Sequence, residues 1–131
     1  MITEDYVSFE AAKLLKEKGF NGKCSFVVNA ISKGVMPVSW PTTNSDIEEE
    51  TNLIALPTLQ MVMKWLREEK NIAIIPVPYS FTLNGEIATW VYSVYNGDKL
   101  EINSAFFTEE PLDSYEEACE TAIKYCLENL I

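Results

Sequence analysis

Residues 72–103 read IAIIPVPYSFTLNGEIATWVYSVYNGDKLEIN, and the way this stretch folds back on itself decides the architecture. Asn84-Gly85 between two apolar runs signals a two-residue hairpin turn, because such turns need residues that accept positive φ. A two-residue turn there pairs Leu83 with Glu86, Phe81 with Ala88, Tyr79 with Trp90, Val77 with Tyr92 and Ile75 with Val94. These side chains share one face, which is nearly all apolar. Pro76, Pro78, Ser80, Thr82, Thr89 and Ser93 are left for the solvent face. In that register the nitrogens of Pro76 and Pro78 point away from the partner strand, so 72–83 is expected at a sheet edge. Asn96-Gly97 marks the next turn. A three-residue loop from Tyr95 to Gly97 is expected there, since it pairs Tyr92 with Leu100 and Trp90 with Ile102 and buries no charge.

Working outward, PTLQMVMKWLREEK at 57–70 is a helix with Thr58 as N-cap. Leu59, Met61, Val62, Met63, Trp65 and Leu66 cover an arc of roughly 200°, about twice the stripe of a surface helix. Core burial accounts for most of that arc. Met61 and Trp65 stand at its margin and, with Trp40, are the candidate interface residues. On the far side, Ser114-Tyr-Glu-Glu117 has the capping-box pattern and opens a helix that runs to the end of the chain. At the start, Ser8 is an N-cap and Gly19 the left-handed residue that ends a first helix, with Leu15 and Phe20 placed for a Schellman contact. Cys24–Ile31 and Val35–Trp40 read as strands, and 42–56 as a mobile loop. The order helix–hairpin–helix–hairpin–strand–helix implies a single α+β domain over 1–131. It predicts an antiparallel sheet of four to five strands with three helices mainly on one face.

The chain has 131 residues, hydrophobic content of 47% and charged content of 23%, which suits a globular fold with a proper core. No apolar run is long enough for a membrane span, and the acidic N-terminus lacks the features of a signal peptide, so a soluble, cytoplasmic chain is expected. The net charge is −10. Residues 71–131 hold ten acids against Lys99 and Lys124 alone, which speaks against direct nucleic-acid binding.

Histidine is absent, which removes the commonest general base and the commonest nitrogen ligand. Cys24, Cys119 and Cys126 are an odd set. Cys119 and Cys126, seven positions apart on one helix, are about 10 Å apart and cannot bridge. Both read as small core hydrophobes. No phosphate-binding loop, dinucleotide fingerprint, zinc pattern or nucleophile elbow occurs. No catalytic, metal or cofactor residue is therefore assigned.

Three stretches carry a resemblance: ITEDYVSFEAAKLLKEKGF, PTLQMVMKWLREEKNI and SYEEACETAIKYCLENLI. They resemble a family of small phage- or prophage-associated proteins of gut anaerobic bacteria that carries no assigned activity. The resemblance lies at the three helices and is weaker in the strands and in 42–56. It implies a mobile-element origin and a bacterial cytoplasm, and it transfers no catalytic residue.

These readings favour a non-enzymatic interaction protein acting through an apolar or acidic surface, on a protein partner or on itself as a homodimer. Two alternatives stay open. One is a small ligand-binding domain or carboxylate enzyme using Trp40 and the Glu86–Glu110 region. The other is an acidic nucleic-acid mimic.

Overall fold

Local signals set all three helix starts. The computed structural model describes residues 2–105 and 110–131. Helix α1 (Phe9–Glu17) begins at Ser8, whose hydroxyl accepts the Ala11 N–H at 3.2 Å. It ends in a full Schellman motif: Phe20 N–H bonds the Leu15 carbonyl, Gly19 N–H bonds that of Lys16, and Gly19 takes φ +89°. Helix α2 (Leu59–Lys70) is capped by Thr58 on Met61 N–H at 3.1 Å and closed by Asn71 at φ 55°. Helix α3 (Tyr115–Asn129) is capped by Ser114 on Glu117 N–H at 3.1 Å, while the Glu117 carboxylate reaches back to Asp113 N–H at 3.1 Å. Each such cap stabilises by about 1 kcal/mol.

The α+β class is as expected, but among the described residues the strands number six and form two sheets. Strands β1 (Cys24–Asn29), β2 (Val35–Thr42) and β3 (Leu53–Ala55) make one antiparallel sheet in the order β2-β1-β3. Strands β4 (Ile72–Phe81), β5 (Ile87–Asn96) and β6 (Lys99–Asn103) make the other as a meander. The stretch 42–56, read as a loop, holds two short 3-10 turns and β3. Asn44 ties it down, accepting Ala55 N–H and donating to the Phe20 carbonyl, both at 3.0 Å. A three-residue strand is too short to show a period, which is why pattern alone passes over it.

One contiguous core joins both sheets through the helices. Helix α3 is its hub: it packs on β4 and β5 and touches α1 and α2. Its residues Ala118, Cys119, Ala122, Ile123, Cys126 and Leu127 are all fully buried. Four of these six are small, which lets neighbouring backbones approach closely.

The register of the first hairpin corrects the sequence-derived one. Thr82 N–H donates to the Glu86 carbonyl at 2.8 Å, Gly85 N–H to the Thr82 carbonyl at 3.0 Å, and Glu86 N–H to the Thr82 hydroxyl at 3.2 Å. The loop is therefore Leu83-Asn84-Gly85, three residues with Gly85 at φ +82° in the left-handed position. Along β4 the pairing moves by one step, to Ile74–Val94, Pro76–Tyr92 and Pro78–Trp90. Tyr92 and Val94 face the core as expected, Val94 now opposite Ile74 and Tyr92 opposite Pro76. Ile75, Val77, Tyr79 and Phe81, expected inside, are exposed.

Strand β4 does lie at the sheet edge. Trp90 exchanges both backbone bonds with Leu112 at 2.8 Å, and Tyr92 directs both of its own to Ser104 at 2.9 Å. Pro78 and Pro76 thus stand opposite residues whose polar groups point elsewhere, and their nitrogens lie on the free edge. The second turn is also corrected. Asn96 and Lys99 flank a two-residue loop, Gly97-Asp98, and Tyr95 pairs with Leu100. A bulge then sets Ile102 opposite Val94, so Ile102 still reaches the core. Leu100 remains exposed, and Glu101 meets Lys99 at 3.4 Å.

The register is testable by truncation. Ile74→Ala is expected to cost about 2–5 kcal/mol in urea unfolding, and Ile75→Ala less than about 1 kcal/mol. The reverse ranking would restore the two-residue turn.

Candidate interaction surface

Between Ile72 and Gly97 the chain carries one charged residue, Glu86, in the turn. A quarter of the whole sequence is charged, so this neutrality is local and needs a cause. Beyond Trp90 the described residues place no third strand beside β5, because β6 pairs only with Ser93–Asn96. The hairpin from Pro78 to Thr89 is therefore a two-stranded ribbon. Residues 81–88 are exposed without exception. Pairing slips on both sides of Ser80, and the Ser80 and Thr89 hydroxyls bond across the strands at 2.5 Å.

The ribbon and the sheet that carries it show solvent a run of large apolar side chains. Ile75, Val77, Tyr79, Phe81, Leu83, Ile87 and Leu100 are between 38% and 107% exposed. Together they present on the order of 600 Å² of mostly apolar surface, the upper end of what a soluble monomer shows in one patch. A two-stranded hairpin is at best marginally stable in water by itself.

Trp40 is 79% exposed. It sits where β2 bulges against β1: Cys24 pairs with Thr42 and Phe26 with Pro37, so Ser25 alone stands opposite Val38–Pro41. Bulges of this kind re-aim side chains. Met61 and Trp65 are half-buried and line a cleft of about 300 Å³ with Phe20, Gly22, Lys64, Glu68 and Glu69. The Trp65 ring meets Phe20 edge-on at 5.4 Å and 82°. Gly22 is required there, because a Cβ would lie 2.7 Å from Phe20 Cζ. Trp40 thus belongs to the edge of the first sheet, while Met61 and Trp65 belong to the α2 cleft.

The carboxylates of the 86–110 region sit on separate elements. Glu86 closes a turn, Glu101 lies on β6, and Glu110 is exposed in the connector; Glu109 lies outside the described residues. A more concentrated acidic site is elsewhere. Asp5, Tyr6, Ser8, Leu59, Glu116, Glu117 and Glu120 line a cleft of about 260 Å³. Glu120 Oε1 accepts both the Ser8 N–H and the Ser8 hydroxyl, which fastens the α1 N-terminus to α3. Its Oε2 is buried with no hydrogen-bond partner among protein atoms. Among the described residues no three His, Cys, Asp or Glu side chains are grouped closely enough to hold a metal ion, and no helix is long and apolar enough to cross a membrane.

Neither Glu120 nor the hairpin surface was singled out by sequence reasoning. The hairpin did leave a signal: β4 is apolar at both odd and even positions, so either register exposes one apolar set. Comparison with known protein families, curated proteins and solved structures returns no match. The structure therefore defines a two-sheet α+β protein whose most distinctive surface is a neutral apolar hairpin.

The cysteines behave as core residues. Burial pushes the Cys24 and Cys119 thiols up to about 11 and that of Cys126 to about 12. The folded state holds these protons where the unfolded chain has released them, so stability falls as pH rises from about 9 to about 12. Cys126→Ala is expected to flatten that alkaline decline in pH-dependent urea unfolding. All three thiols should resist iodoacetamide at neutral pH and react once the chain is denatured.

Proposed function

We propose that this chain is a non-enzymatic interaction protein that engages another protein through the apolar face and tip of the β4–β5 hairpin. The single observation that carries the reading is the exposed set Ile75, Val77, Tyr79, Phe81 and Ile87 along the β4–β5 hairpin. An exposed apolar patch of this size is a contact surface on physical grounds, since leaving it in water forgoes roughly 25 cal/mol per Å². The aromatic and β-branched side chains suit the core of an interface, from which charged residues are depleted. Trp40 offers a second exposed anchor on the edge of the other sheet. A bacterial mobile-element setting and a cytoplasmic location are part of the same proposal. The acidity of the rest of the chain serves solubility and keeps nucleic acid away.

A benzophenone amino acid in place of Tyr79, illuminated in the intact cell that makes the protein, should give a discrete covalent protein adduct. The same probe in place of Glu10, on the exposed side of α1, should give none. Absence of any adduct at position 79 would overturn the reading.

A further inference from the structure

Resting on that reading, we infer that the occupant of the hairpin face is a second copy of this chain, docked about a two-fold axis with face against face. Three features lead there. The first is what the free edge of β4 forbids. Pro76 and Pro78 remove two consecutive outward donors from that edge, so an incoming strand could not continue the sheet along it. Strand addition to β4 is closed, and the surface that remains is the apolar face.

The second feature is charge. Each copy carries −10, so two copies repel except where they meet through neutral surface. The segment from Ile72 to Gly85 carries no charged residue at all. A basic partner would gain nothing from this neutral face and would be drawn instead to the acidic cleft by α3. The longest uncharged run of an acidic chain thus lies on a surface through which another copy approaches at low electrostatic cost.

The third feature is area. A standard stable interface takes about 800 Å² from each partner. The exposed apolar side chains supply on the order of 600 Å², the greater part of that size. Face-to-face packing also covers the ribbon from Pro78 to Thr89, beside which the described residues place no third strand. In a two-fold arrangement the same residues serve on both copies, so no second apolar surface is needed.

Sedimentation equilibrium tests this directly. The intact chain is expected at twice its 14.8 kDa, with association tightening as salt screens the repulsion between copies. The double variant Val77→Glu/Phe81→Glu is expected to sediment as a monomer with an unchanged far-ultraviolet spectrum, its dissociation constant raised at least ~100-fold. Ile87→Asp on the neighbouring strand should weaken the dimer in the same direction. A wild-type chain that stays monomeric at about 100 μM overturns the inference, as does a dimer that survives all these substitutions. The Tyr79 cross-link separates the two proposals. An adduct of twice the chain mass supports the dimer. An adduct of any other mass overturns the dimer and leaves the interaction reading standing.

Discussion

The hydrogen bonds that close the turn between Thr82 and Glu86 determine which side chains of the second sheet meet the helices. Gly85 at φ +82° lets the loop take three residues, and the pairs along β4 keep the register of that count except at Ser80, where the slips on its two sides cancel. Ile72 and Ile74 are thereby delivered to the core beside Tyr92 and Val94, against α2 and α3. The other apolar set of β4 is turned outward by the same stroke. A one-residue change in loop length exchanges the two sets completely, because side chains alternate with a period of two. The interior and the exposed face are therefore consequences of one local geometry.

That interior is complete without the outer set. Helix α3 brings six fully buried side chains to the centre, and α2 adds Leu59, Val62, Met63 and Leu66. Tyr115 extends the packing by meeting Trp90 edge-on at 5.3 Å and accepting a hydrogen bond from Gln60 at 2.9 Å. With these positions filled, the wide apolar arc of α2 is largely spoken for. Met61 and Trp65 are left half-covered at the rim of a cleft, not as an open docking surface. Of the apolar surface that the core does not absorb, Ile75, Val77, Tyr79, Phe81, Leu83 and Ile87 lie on the hairpin, and Val35, Met36 and Trp40 lie on β2.

Which features were legible follows from how local they are. Caps at Ser8, Thr58 and Ser114, the Gly19 ending and the edge position of β4 depend on a few adjacent residues whose preferences all agree. The two turns depart from the sequence pattern in opposite senses, with three residues where it predicts two and two where it predicts three. Asn-Gly serves either loop, since both need a residue at positive φ. The hydrophobic pattern could not arbitrate, because Ile72-Ala-Ile-Ile75 and Val77 are apolar on both parities. At the second turn a bulge, invisible in sequence, rescued Ile102 for the core. The exposure of Trp40 likewise depends on a bulge in β2 that no periodicity announces. The separation into two sheets depends on β3, three residues whose pairing partner lies more than twenty positions away. The candidate surface was legible only as a surplus: more apolar strand residues than one buried face can hold.

That surplus bears on how the chain manages its own edges. Exposed strands are commonly protected from aggregation by charges on the strand itself. Here the protection is divided between two devices. Pro76 and Pro78 disable the edge of β4 as a template for strand addition, while the acids lie mostly outside the hairpin. If solubility were the only demand on β4, a single lysine at position 77 or 79 would serve both purposes and cost nothing in the core, since both positions face outward. Proline at the edge protects without placing a charge on the face, and that combination matters only if the face must remain apolar. The arrangement disfavours indiscriminate strand pairing while keeping the face apolar, and on the proposed interaction reading that face is the one left for a contact set by shape.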